Sequence, residues 1–210
     1  MSQSGGEDEV THPQEKLDAT EEHWRVFCAI ELPRQTRKRL LFHIEKLQAL
    51  VPEGRASWSR EFNIHLTLKF LGETPQQLVR KFDSALSRGV KGIRPFPILI
   101  SGSGVFPRPG DPRVLWVGIS DPQRRLANLH SRIEGESEQE GFPREVRQFH
   151  PHLTLARLRT REGARDIARA HEELQFAPED ITVNEVLLIR SELSSAGPRY
   201  TTISQHVLNG

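Results

Sequence analysis

IHLTLKF (residues 64–70) and PHLTLAR (residues 151–157) share the tetrapeptide His-Leu-Thr-Leu. The two copies lie 87 positions apart in a chain of 210 residues that has only 9 histidines. Side chains alternate between the two faces of a β-strand, so residues i and i+2 share a face. Each copy therefore predicts an amphipathic strand. Its leucines face a core, and its other face presents one imidazole and one hydroxyl.

The polar faces of the two predicted strands carry groups that suit phosphodiester chemistry. His65 and Thr67 share a face of the first strand, and His152 and Thr154 share a face of the second. Imidazole has an unperturbed pKa near ~6.5, so near neutral pH one ring can act as a base and another as an acid. Two histidines on opposite sides of a phosphodiester can deprotonate the nucleophile and protonate the leaving oxygen. Threonine hydroxyls can donate hydrogen bonds to the phosphate oxygens, and this chemistry requires no metal.

The same alternation assigns the neighbours of each motif to a face. Leu66, Leu68 and Phe70 share the apolar face of the first strand. Arg157 lies five residues after His152, and this odd offset places it on the face opposite that histidine. A β-bulge or the end of the strand would reverse the assignment. Arg157 therefore either lies on the solvent-exposed surface opposite His152 or is turned to the same face as His152.

Strands and helices are mixed along the whole sequence, as in an α+β protein. Thr74 is the predicted N-cap of the second helix, and Pro75 falls at its first position. The turn-rich PRPGDPR between two strands predicts a hairpin, and Gly102 and Gly104 are interpreted as turn glycines. Each HLTL strand is followed by a helix, which indicates two α+β units. We predict strands over residues 23–32, 63–72, 96–106, 114–120, 150–158, 185–193 and 199–207, and helices over 34–51, 75–89, 122–141 and 161–175.

Charge is unevenly distributed along the chain. Residues 1–22 carry seven acids against Lys16, which leaves 28 basic and 21 acidic residues in 23–210. We interpret 1–22 as an acidic disordered tail and 23–210 as a single domain, whose basic character suits a polyanionic ligand. The apolar runs are too short to span a bilayer, and no secretory signal is apparent. Cys28 is the only cysteine, so we expect a buried thiol and a cytoplasmic protein.

Four stretches of the chain resemble a known family. They are RVFCAIELP (25–33), WSREFNIHLTLKFLGE (58–73), FHPHLTLARLR (149–159) and EVLLIRSELSSAGPRYTTI (185–203). With its two H-x-T-x motifs in order, the chain resembles a 2H phosphoesterase of the RNA 2′,3′-cyclic phosphodiesterase type, the LigT or ThpR group also called 2′-5′ RNA ligase. The resemblance implies a bilobal α+β fold, with two pseudo-symmetric lobes of antiparallel sheet and outer helices around a central cleft.

The resemblance also implies an activity and a role for each motif residue. The expected reaction is hydrolysis of a ribose 2′,3′-cyclic phosphate to a 2′-phosphomonoester. His65 matches the proton donor to the leaving 3′-oxygen, and His152 matches the base that activates water. Thr67 and Thr154 match the phosphate-binding hydroxyls, and Arg157 matches a basic residue near the phosphate. We expect no cofactor, no metal and no membrane association, a monomer, and RNA ends or small cyclic nucleotides as substrates.

Two other functions use the same residues. A non-catalytic module could hold a nucleotide or RNA end in the same cleft, although two titrating groups would then have no purpose. A metal-dependent hydrolase could use His150 and His152, but two histidines without a carboxylate or cysteine fall short of a usual zinc set. Phe27 and Trp58 could stack on a base, although core packing is the more common use of aromatic residues.

Overall fold

The computed structural model describes residues 22–195 and 197–210, and the proposed acidic tail lies outside these residues except for Glu22. Within them the chain forms nine strands, four α-helices and a 3₁₀ turn at Glu61–Asn63. The elements are β1 (His23–Glu31), α1 (Arg34–Leu50), β2 (Ser57–Trp58), β3 (His65–Pro75), α2 (Gln76–Val90), β4 (Phe96–Phe106), β5 (Val114–Ser120), α3 (Arg125–Gln139), β6 (His152–Arg157), α4 (Ala164–Leu174), β7 (Glu179–Val183), β8 (Glu185–Ser194) and β9 (Gly197–Val207). No helix of this described part is both long enough and apolar enough to cross a membrane.

The strands form two antiparallel sheets, as the α+β prediction requires. The four-stranded sheet has the order β3-β1-β8-β9, and the five-stranded sheet has the order β2-β6-β5-β4-β7. The first therefore combines strands from the beginning and the end of the chain, whereas the second consists mainly of strands from the middle. Each sheet contains one HLTL strand. The predicted bilobal fold with two antiparallel sheets is confirmed, and so is the hairpin of β4 with β5.

Strand β1 is buried on both of its faces. Val26, Cys28 and Ile30 belong to the main core beneath the helices, whereas Phe27 and Ala29 pack in a smaller cluster on the opposite face. Because burial disfavours the thiolate, the pKa of Cys28 is raised to about 12. The expectation of a buried thiol is confirmed.

Both HLTL strands contain a β-bulge at the fourth residue of the motif. Ala29 and Cys28 of β1 pair with Thr67 and Lys69, so Leu68 is the extra residue in β3. Trp116 and Leu115 of β5 likewise pair with Thr154 and Ala156, so Leu155 is the extra residue in β6. A bulge interrupts the alternation of side chains. Two consecutive residues are consequently buried in each strand, Leu68 with Lys69 and Leu155 with Ala156.

The bulge in β3 corrects the predicted apolar face. Leu66 and Leu68 are buried as expected, but Phe70 is 51% exposed. Lys69, which simple alternation places on the polar face, is 7% exposed and points into the protein. The prediction for Phe70 was wrong because the alternation of residues in the sequence does not reveal where a bulge occurs.

The inward-facing Lys69 forms a buried ion pair with Glu134 of α3. Its Nζ donates to both carboxylate oxygens of Glu134, at 2.8 and 2.9 Å, and to the carbonyl oxygen of Pro143, also at 2.8 Å. The backbone N–H of Glu145 donates to Oε2 of Glu134 at 3.0 Å. This network ties β3 and α3 to the segment 142–150, which leads into the second motif.

Three local predictions failed for identifiable reasons. Thr74 does not cap a helix: it lies in β3 opposite Trp24, its hydroxyl donates to the Gly72 carbonyl, and α2 begins at Gln76. Gly102 and Gly104 lie inside β4 instead of in a turn. Gly104 is needed there because a Cβ would collide with the ring of Trp116 on β5. Two strands were also missed: β2 has only two residues, and β7 begins with two acidic residues, Glu179 and Asp180.

The Lys69–Glu134 pair supports a stability prediction. Lys69→Met leaves a buried carboxylate without its cation, so we expect the free energy of unfolding to fall by about 3–5 kcal/mol. Replacing both partners, as in Lys69→Met/Glu134→Leu, removes the unpaired charge and should cost less than the single change. Urea denaturation of the three proteins measures this difference. A Lys69→Met protein as stable as the unsubstituted one would contradict the role given to the pair.

Candidate active site

His152 begins β6, and a backbone bond holds its ring. Its Nδ1 lies 2.7 Å from the carbonyl oxygen of His150. A carbonyl oxygen can only accept, so Nδ1 carries the proton and Nε2 is the unprotonated nitrogen of the neutral ring. The ring meets the edge of Phe106, with centroids 5.2 Å apart and planes at 87°. His152 therefore has the tautomer that a general base requires.

His65 begins β3 in a more enclosed environment. Its ring stacks on Phe27 at 4.7 Å between centroids and meets Tyr200 edge-on at 5.4 Å. Burial lowers the pKa of His65 to about 4, although a hydrogen bond to the backbone of Asn63 acts in the opposite direction. Phe27 is 3% exposed and packs beneath this histidine, and Trp58 packs partly buried against the main core. The core interpretation of these two aromatic residues agrees with the structure.

The same type of hydrogen bond orients both histidine rings. Each ring bonds the backbone of the residue two positions earlier, Asn63 for His65 and His150 for His152. The backbone groups at the two bulges have different hydrogen-bond donors. The carbonyl oxygen of Leu155 accepts from the backbone N–H of Ser59 at 2.8 Å, whereas the Leu68 backbone accepts a hydrogen bond from the ring of His130. The motifs are thus equivalent in backbone geometry but have different neighbours.

Side chains from both motifs line one cavity. Its volume is about 690 Å³, and both Thr67 and His152 are among its lining residues. The segment 142–150 forms one wall. His65 lines a second cavity of about 450 Å³, together with Tyr200. Thr154 is half-buried two residues after His152, on the same face of β6.

The bulge at Leu155 determines where Arg157 lies. Because it interrupts the alternation, Arg157 is exposed in phase with His152 and Thr154, and not on the opposite face. Burial raises the pKa of Tyr200, whereas the positive charges of Arg157 and Arg25 lower it. Arg157 of the second sheet therefore acts on Tyr200 of the first, which packs against His65.

Several residues of the site had no signal in the sequence. Tyr200, Phe106 and Trp116 surround the two imidazoles, but nothing in the local sequence indicates which histidine each of them contacts. Gly104 was the one available clue, because a glycine inside an apolar strand indicates a close approach by another group. His150 contributes its backbone carbonyl. Among residues 22–195 and 197–210, no three or more histidine, cysteine, aspartate or glutamate side chains cluster as a metal would need.

Comparison with known sequences places the chain in a family. A sequence model of the 2′-5′ RNA ligase superfamily matches residues 33–194. The chain belongs to this superfamily. Among its relatives is the RNA 2′,3′-cyclic phosphodiesterase of Methanothermobacter thermautotrophicus, 33% identical over 84% of this chain and 95% of the relative. The protein of the same name from Thermotoga maritima is 32% identical over 89% of this chain and 96% of the relative.

Solved structures of related proteins share the fold of this chain. The apo form of Escherichia coli LigT superposes with a TM-score of 0.71 and 26% identity, covering 90% of this chain and 99% of LigT. A protein from Thermus thermophilus gives the same TM-score and identity over 89% of this chain and 98% of its own. LigT has also been solved with 3′-AMP, and that structure matches with a TM-score of 0.70.

The environment of His65 leads to a prediction about its titration. In NMR titrations of the free protein, we expect the His65 ring to titrate near pH 4, because burial disfavours its charged form. Inorganic phosphate should raise this midpoint by about 1–3 units, since a nearby anion stabilises the imidazolium. His43 on α1 is a matched control: burial also lowers its pKa to about 4, and phosphate should not move it. A His65 midpoint near ~6.5, the unperturbed value, or equal shifts of both rings, would contradict the assignment.

Proposed function

We propose that this protein hydrolyses the 2′,3′-cyclic phosphate of RNA ends or nucleotides to a 2′-phosphomonoester, without a metal. One observation carries the proposal: Thr67 of the first motif and His152 of the second line a single cavity. A phosphate bound there is reached by Thr67 of the first copy and His152 of the second, and the proposal requires His65, which lines the second cavity, to reach the same phosphate from its other side. The duplication of the tetrapeptide is then a chemical requirement, because the two proton transfers occur on different sides of the phosphorus.

His152 acts as the general base in this mechanism. Its Nδ1–H is held by the carbonyl of His150, so Nε2 accepts a proton from water. The water oxygen forms a new bond to phosphorus as that proton leaves. The half-buried ring keeps its orientation through the contact with Phe106. The geometry thus leaves Nε2 of His152 free to accept a proton, as this role requires.

His65 protonates the leaving 3′-oxygen as the bond between that oxygen and phosphorus breaks. In the free protein its lowered pKa keeps the ring largely neutral near pH 7. An anionic phosphate beside the ring raises the pKa of His65, so on substrate binding the ring takes up a proton from solvent and becomes the acid. The proton that His65 loses and the proton that His152 gains balance over one turnover.

The other polar groups of the proposed site, two hydroxyls and one guanidinium, interact with the phosphate oxygens. The hydroxyls of Thr67 and Thr154 donate hydrogen bonds to the non-bridging oxygens, where negative charge resides throughout the reaction. Arg157 is exposed in phase with Thr154 and adds a positive charge on the same face. The activity for which several relatives are named and the 3′-AMP complex of LigT support a nucleotide phosphodiester as substrate.

Substitution of the histidines tests the mechanism. His65→Ala and His152→Ala should each lower turnover of 2′,3′-cyclic AMP by about 10²-fold or more, the scale of a lost general acid or base. The double variant should be little worse than the poorer single variant, because both residues act in one step. Steady-state rates of the four proteins provide the measurement. Full activity in the double variant would exclude the two-histidine mechanism, and binding without turnover by the unsubstituted protein would favour the non-catalytic alternative.

The identity of the product tests the direction of the reaction. Because His65 protonates the 3′-oxygen, hydrolysis of 2′,3′-cyclic AMP should give 2′-AMP, which chromatography separates from 3′-AMP. EDTA should not change the rate, since neither proton transfer requires a metal. Predominant 3′-AMP would show that the cyclic phosphate binds in the opposite orientation. Inhibition by EDTA would favour the metal-dependent alternative with His150.

A further inference from the structure

The segment Ser59–Asn63 connects the two motifs directly. Ser59 bonds β6 at two points: its backbone N–H donates to the Leu155 carbonyl, and its hydroxyl donates to the Thr154 carbonyl, both at 2.8 Å. At its other end the backbone of Asn63 accepts the hydrogen bond from His65. A 3₁₀ turn fills the interval. The segment is therefore anchored at both ends and spans the distance between the two sheets beside the reacting groups.

Two side chains with no structural use project from this anchored segment. Phe62 is 78% exposed, and Arg60 is also exposed. Within residues 22–195 and 197–210, Arg60 has neither an ion pair nor a side-chain hydrogen bond. Both residues nevertheless line the same cavity as His65. An exposed aromatic ring and an unpaired guanidinium on one short turn are the two groups that hold single-stranded nucleic acid, by base stacking and by contact with the backbone phosphate.

The charge of Arg60 is not neutralised within the cavity. Glu31 is the single acid among the described residues that line it, and Nη1 of Arg37 binds that carboxylate at 2.5 Å. The volume, about 450 Å³, lies within the usual range for small-ligand sites. The cavity thus has room for part of a nucleotide and an unpaired positive charge at its rim.

The reaction geometry indicates which part of the substrate reaches this cavity. In an in-line displacement, water attacks on the side of His152 and the ribose 3′-oxygen leaves on the side of His65. The ribose, with the chain attached to its 5′-oxygen, must then lie on the His65 side of the phosphorus. Arg60 and Phe62 line the cavity on that side.

We propose that Arg60 and Phe62 form a subsite for the nucleotide that precedes the terminal cyclic phosphate in single-stranded RNA. This inference rests on the proposed function and extends it from cyclic nucleotides to oligonucleotide ends. Arg60 binds the phosphodiester on the 5′ side of the terminal nucleoside, and Phe62 stacks on the preceding base. The preferred substrate is consequently an RNA end and not a mononucleotide.

Selectivity between two substrates tests the subsite. We compare kcat/KM for the dinucleotide ApA ending in a 2′,3′-cyclic phosphate with kcat/KM for 2′,3′-cyclic AMP. The unsubstituted protein should favour the dinucleotide. Arg60→Ala should reduce that selectivity about 10-fold through KM, the scale of a lost hydrogen bond between charged groups. Phe62→Ala should reduce it about 5-fold or more, and Arg60→Lys should retain most of it.

A matched control variant removes an exposed phenylalanine and an exposed arginine outside the His65 cavity. Phe42 on α1 is 58% exposed, and Arg80 on α2 is exposed, and neither residue lines the cavity of His65. The Phe42→Ala/Arg80→Ala protein should keep the selectivity of the unsubstituted protein. Raising the salt concentration should lower the selectivity of the unsubstituted protein but not that of Arg60→Ala, because only the former makes the additional phosphate contact.

The outcomes separate this inference from the proposed function. If the unsubstituted protein hydrolyses both substrates equally well, or if Arg60→Ala slows both by the same factor, the subsite does not exist although the catalytic function stands. A control protein that loses selectivity like Arg60→Ala would also overturn the subsite. If neither substrate is hydrolysed, the proposed function fails and the subsite fails with it.

Discussion

The structure depends on one backbone constraint that occurs twice. Each His-x-Thr sequence must present its histidine and threonine on one face of a strand, and each strand must then bury two residues in succession. β-Bulges at Leu68 and Leu155 make this possible. Without them, simple alternation would turn Phe70 and Arg157 toward the core. The carbonyl of each bulged residue accepts a hydrogen bond from outside the strand pair.

The bulge in β3 has consequences far from the motif. It turns Lys69 inward, and a buried ammonium group needs a counter-ion and further acceptors. Glu134 and the carbonyl of Pro143 provide them. The same carboxylate accepts from the backbone of Glu145, so the ion pair also positions the segment 142–150 that forms a wall of the larger cavity. The shape of the site therefore follows from how one extra strand residue is accommodated.

The equivalence of the two motifs ends at the side chains around them. Both histidines bond the backbone two residues earlier, but His65 lies between Phe27 and Tyr200, whereas His152 meets Phe106. Burial beside aromatic rings lowers the pKa of His65 to about 4 and favours its neutral form. Two equivalent backbone positions thus hold their imidazole rings in different environments.

The amino-acid sequence by itself determined the candidate site residues and the class of fold. The repeated tetrapeptide, its period of two and the flanking stretches identified His65, His152, Thr67 and Thr154 as candidates, and they predicted antiparallel α+β architecture. These features are local, and the alternation of polar and apolar residues along a strand can be read from the sequence alone. Only the tertiary structure decided which strands share a sheet, where the bulges fall, which aromatic ring contacts each histidine, and how Ser59–Asn63 joins the motifs. Those features depend on pairing between residues far apart in the chain, and pairing register leaves no signal in either partner alone.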